Sequence, residues 1–297
     1  MSKLLVTGGA GFIGSHLVDK LVHDGHEVVI IDNLSTGKKE YINPRARFEQ
    51  KDIRDYASIE PVFKGVEAVF HLAADARLQM SIDDPLTTHA TNVTGTLNVL
   101  YAAHKAGVKK VVFASSCAVY GDIEKLPLKE TMQCSPLSPY GLHKYMGEQY
   151  CRVFANLFCL PTVALRFFNV FGPRKTADGA YPMVIPIFLK QRAAGESMTI
   201  VGDGEQTRDY VHVRDVVAAC VAAWQSAVGG GEIINIGNGR QISINDIARM
   251  LGGPTKTIPE RKGEMRFIEA SNAKAKRLLK WKPKVKFEDG LRELVGS

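Results

Sequence analysis

A glycine-rich turn near the N terminus constrains the fold of this chain more than any other feature. The segment Thr7–Gly14 (TGGAGFIG) follows a short apolar stretch typical of a buried strand and precedes an amphipathic stretch of helical period. Its glycines allow a tight turn, close approach of the backbone to a pyrophosphate, and close packing of the helix on the strand. The N–H groups of Phe12 and Ile13, at the start of the helix, would face the phosphates. The motif predicts a dinucleotide site.

A carboxylate at the end of the second predicted strand supports this interpretation. Asp32 lies 18 residues after the last glycine of the motif, where an acidic side chain can accept hydrogen bonds from the adenosine ribose. Its charge would repel a 2′-phosphate, and no arginine follows at once, so NAD is favoured over NADP. Two lysines at positions 38 and 39 leave NADP open. Asp52 and Ile53 are a second candidate contact, beside the adenine, although such a pair alone is more often part of a turn.

The first half of the chain alternates short apolar strands with amphipathic helices. The predicted strands are Lys3–Thr7, Val28–Asp32, Ala68–Leu72, Lys110–Ser115, Thr162–Phe167 and Ile233–Ile236. The predicted helices are Ile13–His23, Ser58–Phe63, Pro85–Ala106 and Tyr140–Phe158. This alternation predicts an α/β fold with a doubly wound parallel sheet of the Rossmann type.

We expect a smaller C-terminal substrate-binding lobe to be interleaved with this sheet. Residues 1–170 form the predicted dinucleotide-binding domain, and a segment at about 210–240 returns to it. Residues 171–209 and 241–297 form the predicted substrate-binding lobe. Frequent Gly and Pro between residues 171 and 210 interrupt the regular pattern and place the boundary there.

Composition excludes several classes of protein. The 297 residues are 45% hydrophobic and 23% charged, which is typical of a globular chain and not of a disordered one. No apolar run is long enough to span a membrane. The chain enters the glycine motif directly, without a signal-peptide pattern, and its five cysteines lack metal-ligand spacing. We therefore expect a cytoplasmic protein with reduced thiols, no metal and no membrane contact.

The net charge of +7 is concentrated at the C terminus. Residues 255–297 carry 12 Lys and Arg against 6 Asp and Glu, whereas residues 1–254 carry 26 against 25. A solvated helical face and an anion-binding lobe both explain this excess. Nucleic acid is not an expected partner, because aromatic side chains are not interleaved with the basic ones.

A tyrosine and a lysine four residues apart begin the last of these helices. Tyr140 and Lys144 share one helical face, and an ammonium group near a phenol, with a cationic nicotinamide close by, is expected to lower the pKa of the tyrosine. Alone, this spacing is common on helix surfaces. Ser115 and Ser116 strengthen the case, because they end a strand where an α/β sheet presents its carboxyl edge to ligand. One of these hydroxyls could bind both the phenol and a substrate hydroxyl.

These residues together resemble the extended short-chain dehydrogenase/reductases, specifically the NAD-dependent nucleotide-sugar epimerase/dehydratase family. The resemblance runs from Lys3 to about Leu294. It is carried by Thr7–Gly14, Asp32-Asn33, Asp52-Ile53, His71–Ala74, Asn92, Ser115-Ser116, Tyr140 with Lys144, Arg166–Asn169 and Gly202–Tyr210. Among family members the chain is most similar to the UDP-hexose 4-epimerases. Its segment Asp178–Pro186 is similar to the subgroup that also accepts N-acetylated sugars.

The resemblance implies a role for each matching residue. The implied catalytic residues are Tyr140 as the base, Lys144 as its partner and Ser116 as the hydroxyl that bridges to the sugar. The implied NAD contacts are Gly8, Gly11, Phe12, Ile13, Gly14, Asp32, Asn33, Asp52, Ile53, Leu72, Ala73, Ala74, Asn92, Ser115, Tyr140, Lys144 and Phe167. The implied UDP-sugar contacts are Ser116, Tyr140, Asn169, Val184, Val201, Arg208, Tyr210, Arg261 and Glu264. The family also implies a homodimer that pairs through the helices at 85–106 and 140–158.

Three sequence features bear on the reaction. Cys117 and Ala118 stand where dehydratases and decarboxylases of the family carry a carboxylate, so 4-epimerisation of UDP-glucose and UDP-galactose is favoured, with the N-acetylated pair also open. Ile268 aligns with the position that tunes pocket size and does not fix the hexose. The Asp75-Ala76-Arg77 segment departs from the family's usual residues and leaves a uronic-acid substrate, or another nucleotide sugar, as an alternative.

A third hypothesis belongs to another class of protein: a non-catalytic dinucleotide sensor or RNA-associated relative. It is disfavoured, because such proteins typically lose the Tyr and Lys pair that this chain retains. His71 is predicted to pack behind the cofactor, and His143 to be incidental.

Overall fold

The computed structural model describes residues 1–176, 184–259 and 266–296. The strands are β1 Lys3–Thr7, β2 Glu27–Ile31, β3 Arg47–Glu49, β4 Ala68–His71, β5 Lys110–Ser116, β6 Thr162–Phe167, β7 Asn169–Phe171, β8 Met198–Val201, β9 Thr207–His212, β10 Gly230–Ile236, β11 Gln241–Ser243 and β12 Thr255–Ile258. The α-helices are α1 Phe12–His23, α2 Tyr56–Ile59, α3 Leu78–Asp83, α4 Pro85–His89, α5 Gly95–Lys105, α6 Pro139–Leu157, α7 Val184–Ala193, α8 Val213–Gln225, α9 Ile244–Leu251, α10 Ala273–Leu279 and α11 Phe287–Val295.

Within the described residues, the central sheet has seven parallel strands in the order β10-β6-β5-β4-β1-β2-β3. The order reverses direction at β1, so the loops after β1 and β4 diverge and leave a crevice at the carboxyl edge of the sheet. The predicted doubly wound Rossmann sheet is confirmed.

Helices cover both faces of this sheet, because alternate residues of each strand point to opposite sides. Leu4 of β1 packs with α1, α8 and α10 in one core cluster, whereas its neighbour Leu5 packs with α5 and α6 in another. The result is a three-layer sandwich with the strands buried on both faces. None of the described helices combines the length and the apolar character that a membrane span requires.

A second, smaller core lies beyond the sheet's carboxyl edge. The three-stranded sheet β11-β9-β7 and the pair β12-β8 surround it together with α7, α9 and α11. The segment at 273–281 differs from the expected division of the chain, because α10 and Trp281 pack in the first core with α1 and α8 rather than in this one. The indole N–H of Trp281 donates to the carbonyl of Asp215 in α8, at 2.9 Å.

The helix predicted over residues 85–106 is present but not regular. The segment Ala90–Thr94, between α4 and α5, is π-helical. One extra residue in a helical turn rotates the side chains that follow, and Asn92, within this segment, is buried at 2% exposure. The periodicity of the sequence gave no sign of this irregularity.

A buried ion pair fixes α6 against the sheet. The Glu148 carboxylate accepts from Arg166 Nε and Nη2 of β6, both at 2.8 Å, and from Ser115 Oγ of β5 at 2.6 Å. Glu148 and Arg166 are 0% and 1% exposed. The helix also approaches β5 closely, since a Cβ at Gly147 would lie 2.4 Å from the Phe113 ring.

We expect Glu148→Gln to lower the free energy of unfolding by about 3 kcal/mol, because it leaves the Arg166 guanidinium charged and unpaired in the interior. Urea unfolding followed by circular dichroism measures this. The matched control is Glu288→Gln, which breaks the exposed pair with Arg240 and should cost less than about 1 kcal/mol. Equal losses of unfolding free energy in the two variants would show that the buried pair stabilises the fold no more than the exposed pair does.

Candidate active site

The glycine motif forms a backbone cradle at the carboxyl end of β1. Gly8 has φ +73°, and a Cβ there would lie 2.7 Å from the backbone nitrogen of Ala73, which follows β4. A Cβ at Gly14 would lie 2.1 Å from the Gly8 carbonyl oxygen. Gly11 caps α1 without a side-chain hydrogen bond, and no acidic residue lies in the first turn. The first N–H groups of α1, those of Phe12 and its neighbour, are therefore suited to phosphate oxygens.

Asp32 closes the adenosine side of this cradle. Its carboxylate accepts from the backbone N–H of Ala10 at 3.0 Å and of Leu34 at 2.8 Å, and it is 8% exposed. Burial raises the pKa of Asp32, while these two hydrogen bonds oppose the rise. Each oxygen retains a lone pair for a ribose hydroxyl.

Asn33 and Asp52 lie together beside Asp32. The Asn33 amide donates to the Asp52 carboxylate at 2.9 Å. A hydrogen bond from Arg54 is the main cause that lowers the pKa of Asp52 to about 2, so this carboxylate is charged. Ile53 is buried against Gly95 at the start of α5. The residues present thus fit a dinucleotide with an unphosphorylated ribose.

The floor of the crevice is formed by the end of β4. His71 is fully buried between the hydroxyls of Thr7 at 2.7 Å and Thr96 at 2.9 Å. Burial, and then the charge of Lys144, lower the pKa of His71 to about 3. A neutral imidazole held on both sides is a structural group, in agreement with its predicted place behind the cofactor. Leu72, Ala73 and Ala74 follow it along the edge of the crevice.

Two predicted cofactor contacts have other partners in the structure. The Asn92 side chain accepts from the backbone N–H of Asp75 at 2.7 Å and donates to the Asp75 carbonyl at 2.9 Å. It therefore holds the loop after β4. The Ser115 hydroxyl donates to Glu148. Adjacent strand residues point to opposite faces, so only Ser116 of the serine pair is directed toward the crevice.

The three predicted catalytic residues meet at the end of β5. The Ser116 hydroxyl is hydrogen-bonded to the Tyr140 phenol and also accepts from the backbone N–H of Ala118 at 3.2 Å. Lys144 is 4% exposed, and its ammonium group donates to the Ala114 carbonyl at 2.8 Å. The Lys144 nitrogen lies 5.9 Å from the centroid of the Tyr140 ring.

Burial is the main influence on the Tyr140 phenol. Burial raises the pKa of Tyr140 to about 12, the Ser116 hydrogen bond opposes this, and the charges of Cys117 and Asp75 add to it. Lys144 is not among the causes that act on this pKa; burial lowers its own pKa to about 8, and its ammonium group donates to the Ala114 carbonyl. The protein alone holds a neutral phenol.

The remaining predicted residues lie on or near the second core. Asn169 begins β7 and donates to the Asp209 carbonyl at 3.4 Å, and Arg208 of β9 donates to the Thr207 carbonyl at 2.9 Å. Val184 and Val201 are partly buried, at the start of α7 and the end of β8. Tyr210 differs from the expectation, because its side chain is 2% exposed and packs in the core of this lobe.

Some of the predicted residues lie outside the described part of the chain. Others are buried in the interior of the protein. Arg261, Glu264 and most of the segment Asp178–Pro186 lie outside the described residues. Ile268 is 3% exposed and packs in one cluster with Cys117, below the end of β5. Phe167, at the end of β6, belongs to the first core and reaches 7% exposure. Among the described residues, no cluster of His, Cys, Asp or Glu is placed to hold a metal ion.

Glu148 is the functional residue that the sequence interpretation missed. It lies four residues after Lys144 and eight after Tyr140, so all three share one face of α6. That spacing was visible in the sequence. Its partner Arg166 was visible only as part of a motif, and nothing in the sequence showed that the two pair in the interior.

The fold and this site define an enzyme of the extended short-chain dehydrogenase/reductase class. The profile of the NAD dependent epimerase/dehydratase family matches residues 4–237. The chain belongs to this family, which confirms the resemblance seen in its motifs.

Three relatives illustrate this similarity. A putative UDP-glucose 4-epimerase of Methanocaldococcus jannaschii is 42% identical, over 98% of this chain and 97% of that protein. The structure of the Thermotoga maritima UDP-glucose 4-epimerase with UDP-glucose has a TM-score of 0.95 at 42% identity, covering 99% of this chain and 97% of that one. The UDP-N-acetylglucosamine 4-epimerase of Methanobrevibacter ruminantium has a TM-score of 0.94 at 38% identity, with 99% and 97% coverage.

The lowered pKa of Lys144 predicts a pH-dependent stability. Between its folded pKa of about 8 and its ordinary value of 10.5, the unfolded chain keeps the proton that the folded lysine has lost, so stability rises with pH. From about pH 7.5 to about pH 9.5, the NAD-stripped wild type should gain about 2 kcal/mol relative to Lys144→Met. Urea unfolding of both proteins at the two pH values measures it. If the unfolding free energies of the two proteins changed equally with pH, the titrating group would not be Lys144.

Proposed function

We propose that this chain is an NAD-dependent 4-epimerase that interconverts UDP-glucose and UDP-galactose. The observation that carries the proposal is the arrangement of Ser116, Tyr140 and Lys144 at the end of β5, at the edge of the crevice that the glycine motif and Asp32 open. The similarity to UDP-glucose 4-epimerases over nearly the whole chain supports the same substrate pair.

Tyr140 is the proposed general base. Its phenol oxygen takes the proton of the sugar's 4-hydroxyl, and Ser116, already hydrogen-bonded to the phenol, bridges to the same hydroxyl. Bound NAD supplies the acceptor for the C4 hydride and a positive charge that favours the phenolate. The cofactor would give the hydride back on the opposite face of the sugar and Tyr140 would return the proton, so the configuration at C4 would invert with no net oxidation.

Lys144 is proposed to act through its position. At neutral pH it is protonated, since even its lowered pKa of about 8 lies above that range. Its bond to the Ala114 carbonyl holds the ammonium group beneath the Tyr140 ring, where it favours negative charge on the phenol once water is excluded. A charge fixed before the reaction needs no reorganisation.

The side chains beside Tyr140 favour a neutral sugar. Cys117 and Ala118 supply no carboxylate for proton transfer at C5 or C6. Burial is the main cause that raises the pKa of the Cys117 thiol to about 12, so it stays neutral. Arg77 forms a bidentate pair with Asp75, which occupies the guanidinium that a uronic acid would require. A neutral hexose fits this environment best.

The second core is proposed to bind the UDP moiety. The Arg208 charge opposes the rise in the pKa of the Cys117 thiol, which follows β5, and Asn169 is paired with Tyr210 across β7 and β9. A guanidinium group suits a diphosphate. We propose that Val184, Val201, Arg261 and Glu264 complete this site, as the family resemblance implies, and that residues 1–170 with 210–240 bind NAD.

We further propose a homodimer and a cytoplasmic location. Exposed apolar side chains lie on α4, α5 and α6 and in the segment just before α6, where relatives are expected to pair. They are Leu86, Tyr101, Leu137, Leu142, Val153 and Leu157, with exposures of 82, 42, 59, 47, 46 and 72%. An apolar surface on two adjacent helices is typical of a subunit contact. In the cytoplasm the five free cysteines would stay reduced.

The base is tested with Tyr140→Phe, which removes only the phenolic oxygen. We expect kcat for UDP-galactose conversion to fall by about a thousandfold with NAD content unchanged, since the ring remains in place. Tyr150→Phe, on the same helix and away from the site, should keep full activity. Retention of activity by Tyr140→Phe would assign the proton transfer to another group.

The substrate is tested on the wild type by turnover of UDP-glucose, UDP-N-acetylglucosamine and UDP-glucuronate without added cofactor. We expect kcat/KM to be highest for UDP-glucose. A preference for UDP-glucuronate would contradict the argument from the Asp75 and Arg77 pair, and no turnover of any of the three would overturn the proposed activity.

The dimer is tested with Val153→Arg, which places a charge in the middle of the apolar surface. We expect sedimentation velocity to show a dimer for the wild type and a monomer for this variant, because burying an unpaired charge is costly. Met250→Arg, on α9 and similarly exposed at 42%, should remain a dimer. A monomeric wild type would contradict the proposal.

A further inference from the structure

A short segment after β7 crosses the helix that carries the glycine motif. We call Pro173–Lys175 the strap. The Pro173 carbonyl is hydrogen-bonded to the His16 ring at 2.9 Å, and Arg174 pairs with Asp19 at 2.7 Å. The strap therefore lies along α1, between the cofactor crevice and the segment that leads to α7.

The face of α1 that receives the strap has helical spacing. Phe12, His16 and Asp19 are four and three residues apart, so they lie in a row on one side of the helix. Asp19 is held in place by the Asn43 amide at 2.7 Å. Arg174 also lies over the Tyr41 ring, with its guanidinium carbon 5.6 Å from the centroid. These contacts fix the strap along the first two turns of α1.

Lys175 lies at the cofactor end of this row. Its ammonium nitrogen is 5.4 Å from the centroid of the Phe12 ring, and Phe12 is the first residue of α1. Burial is the one influence that lowers the pKa of Lys175, and no charged group among the described residues acts on it. A half-buried ammonium group, with no carboxylate partner among the described residues, thus lies beside the N terminus of the glycine-motif helix.

We propose that Lys175 binds the pyrophosphate of the dinucleotide cofactor and that the strap holds it there. The ammonium group adds a full positive charge to the partial charge of the helix N terminus, on the side opposite the backbone cradle. A pyrophosphate would supply negative charge and acceptors for the donors of the lysine. The strap attaches this lysine to α1 and continues into the segment that leads to the substrate lobe.

The test measures binding and not turnover. Isothermal titration of NAD-stripped protein with NAD and with ADP-ribose compares the wild type with Lys175→Met, which keeps the aliphatic stem over Phe12. We expect about a tenfold loss of affinity for both ligands, and a smaller loss of affinity between about 50 mM and about 300 mM NaCl than in the wild type. From the purified holoprotein, NAD should leave the variant about tenfold faster.

Three comparisons separate a pyrophosphate contact from a structural role. Adenosine, which lacks phosphate, should bind Lys175→Met as well as the wild type, and Lys175→Arg should bind ADP-ribose nearly as the wild type does. Lys20→Met, which removes an equal charge from the far end of α1, should change nothing. Unchanged ADP-ribose affinity in Lys175→Met, or an equal loss for adenosine, would overturn the proposal. These binding measurements involve no UDP-sugar. Either result therefore leaves the proposed 4-epimerase activity to be tested separately by the turnover assay.

Discussion

The pair formed by Glu148 and Arg166 is the interaction on which the active site depends. It joins α6 to β6 in the interior, and the Ser115 hydroxyl extends the same contact to β5. Because Glu148, Lys144 and Tyr140 follow each other at four-residue intervals, fixing the first also fixes the height of the other two above the strand ends. Two charges in a low-dielectric interior tolerate little displacement, so the helix has one position along the sheet.

A second junction joins the two cores. The Asp209 carboxylate, 0% exposed, accepts from the backbone N–H groups of Asn238, Gly239 and Ala270 at 2.5 to 2.9 Å. Burial raises the pKa of Asp209 to about 6, against the effect of these bonds. The residue before it is Arg208, the proposed diphosphate contact. The backbone position of that arginine is therefore set by a buried carboxylate, as the position of Tyr140 is set by Glu148.

The chemistry of Tyr140 shows why a motif does not determine a charge state. The sequence predicted that Lys144, together with a cationic nicotinamide, lowers the pKa of the phenol. In the structure both groups are desolvated, which opposes charge on each of them, and the ammonium group is directed at the Ala114 carbonyl. The phenol is neutral until further positive charge enters the site. The pKa of the phenol therefore depends on the packing around it as well as on the spacing of the two residues.

The sequence by itself determined the parallel sheet, six of its seven strands to within about three residues at each end, the glycine cradle with Asp32, and the placement of Tyr140 and Lys144 on one helix face, because these follow from local periodicity and short spacings. It missed β3, whose three residues are too few for a periodic pattern. It did not determine the burial of Tyr210, the use of Asn92 by the loop after β4, or the packing of α10 in the first core. Those depend on which distant segments meet. Hydrogen-bond partners and desolvation are properties of the packed interior, and only the tertiary structure decides them.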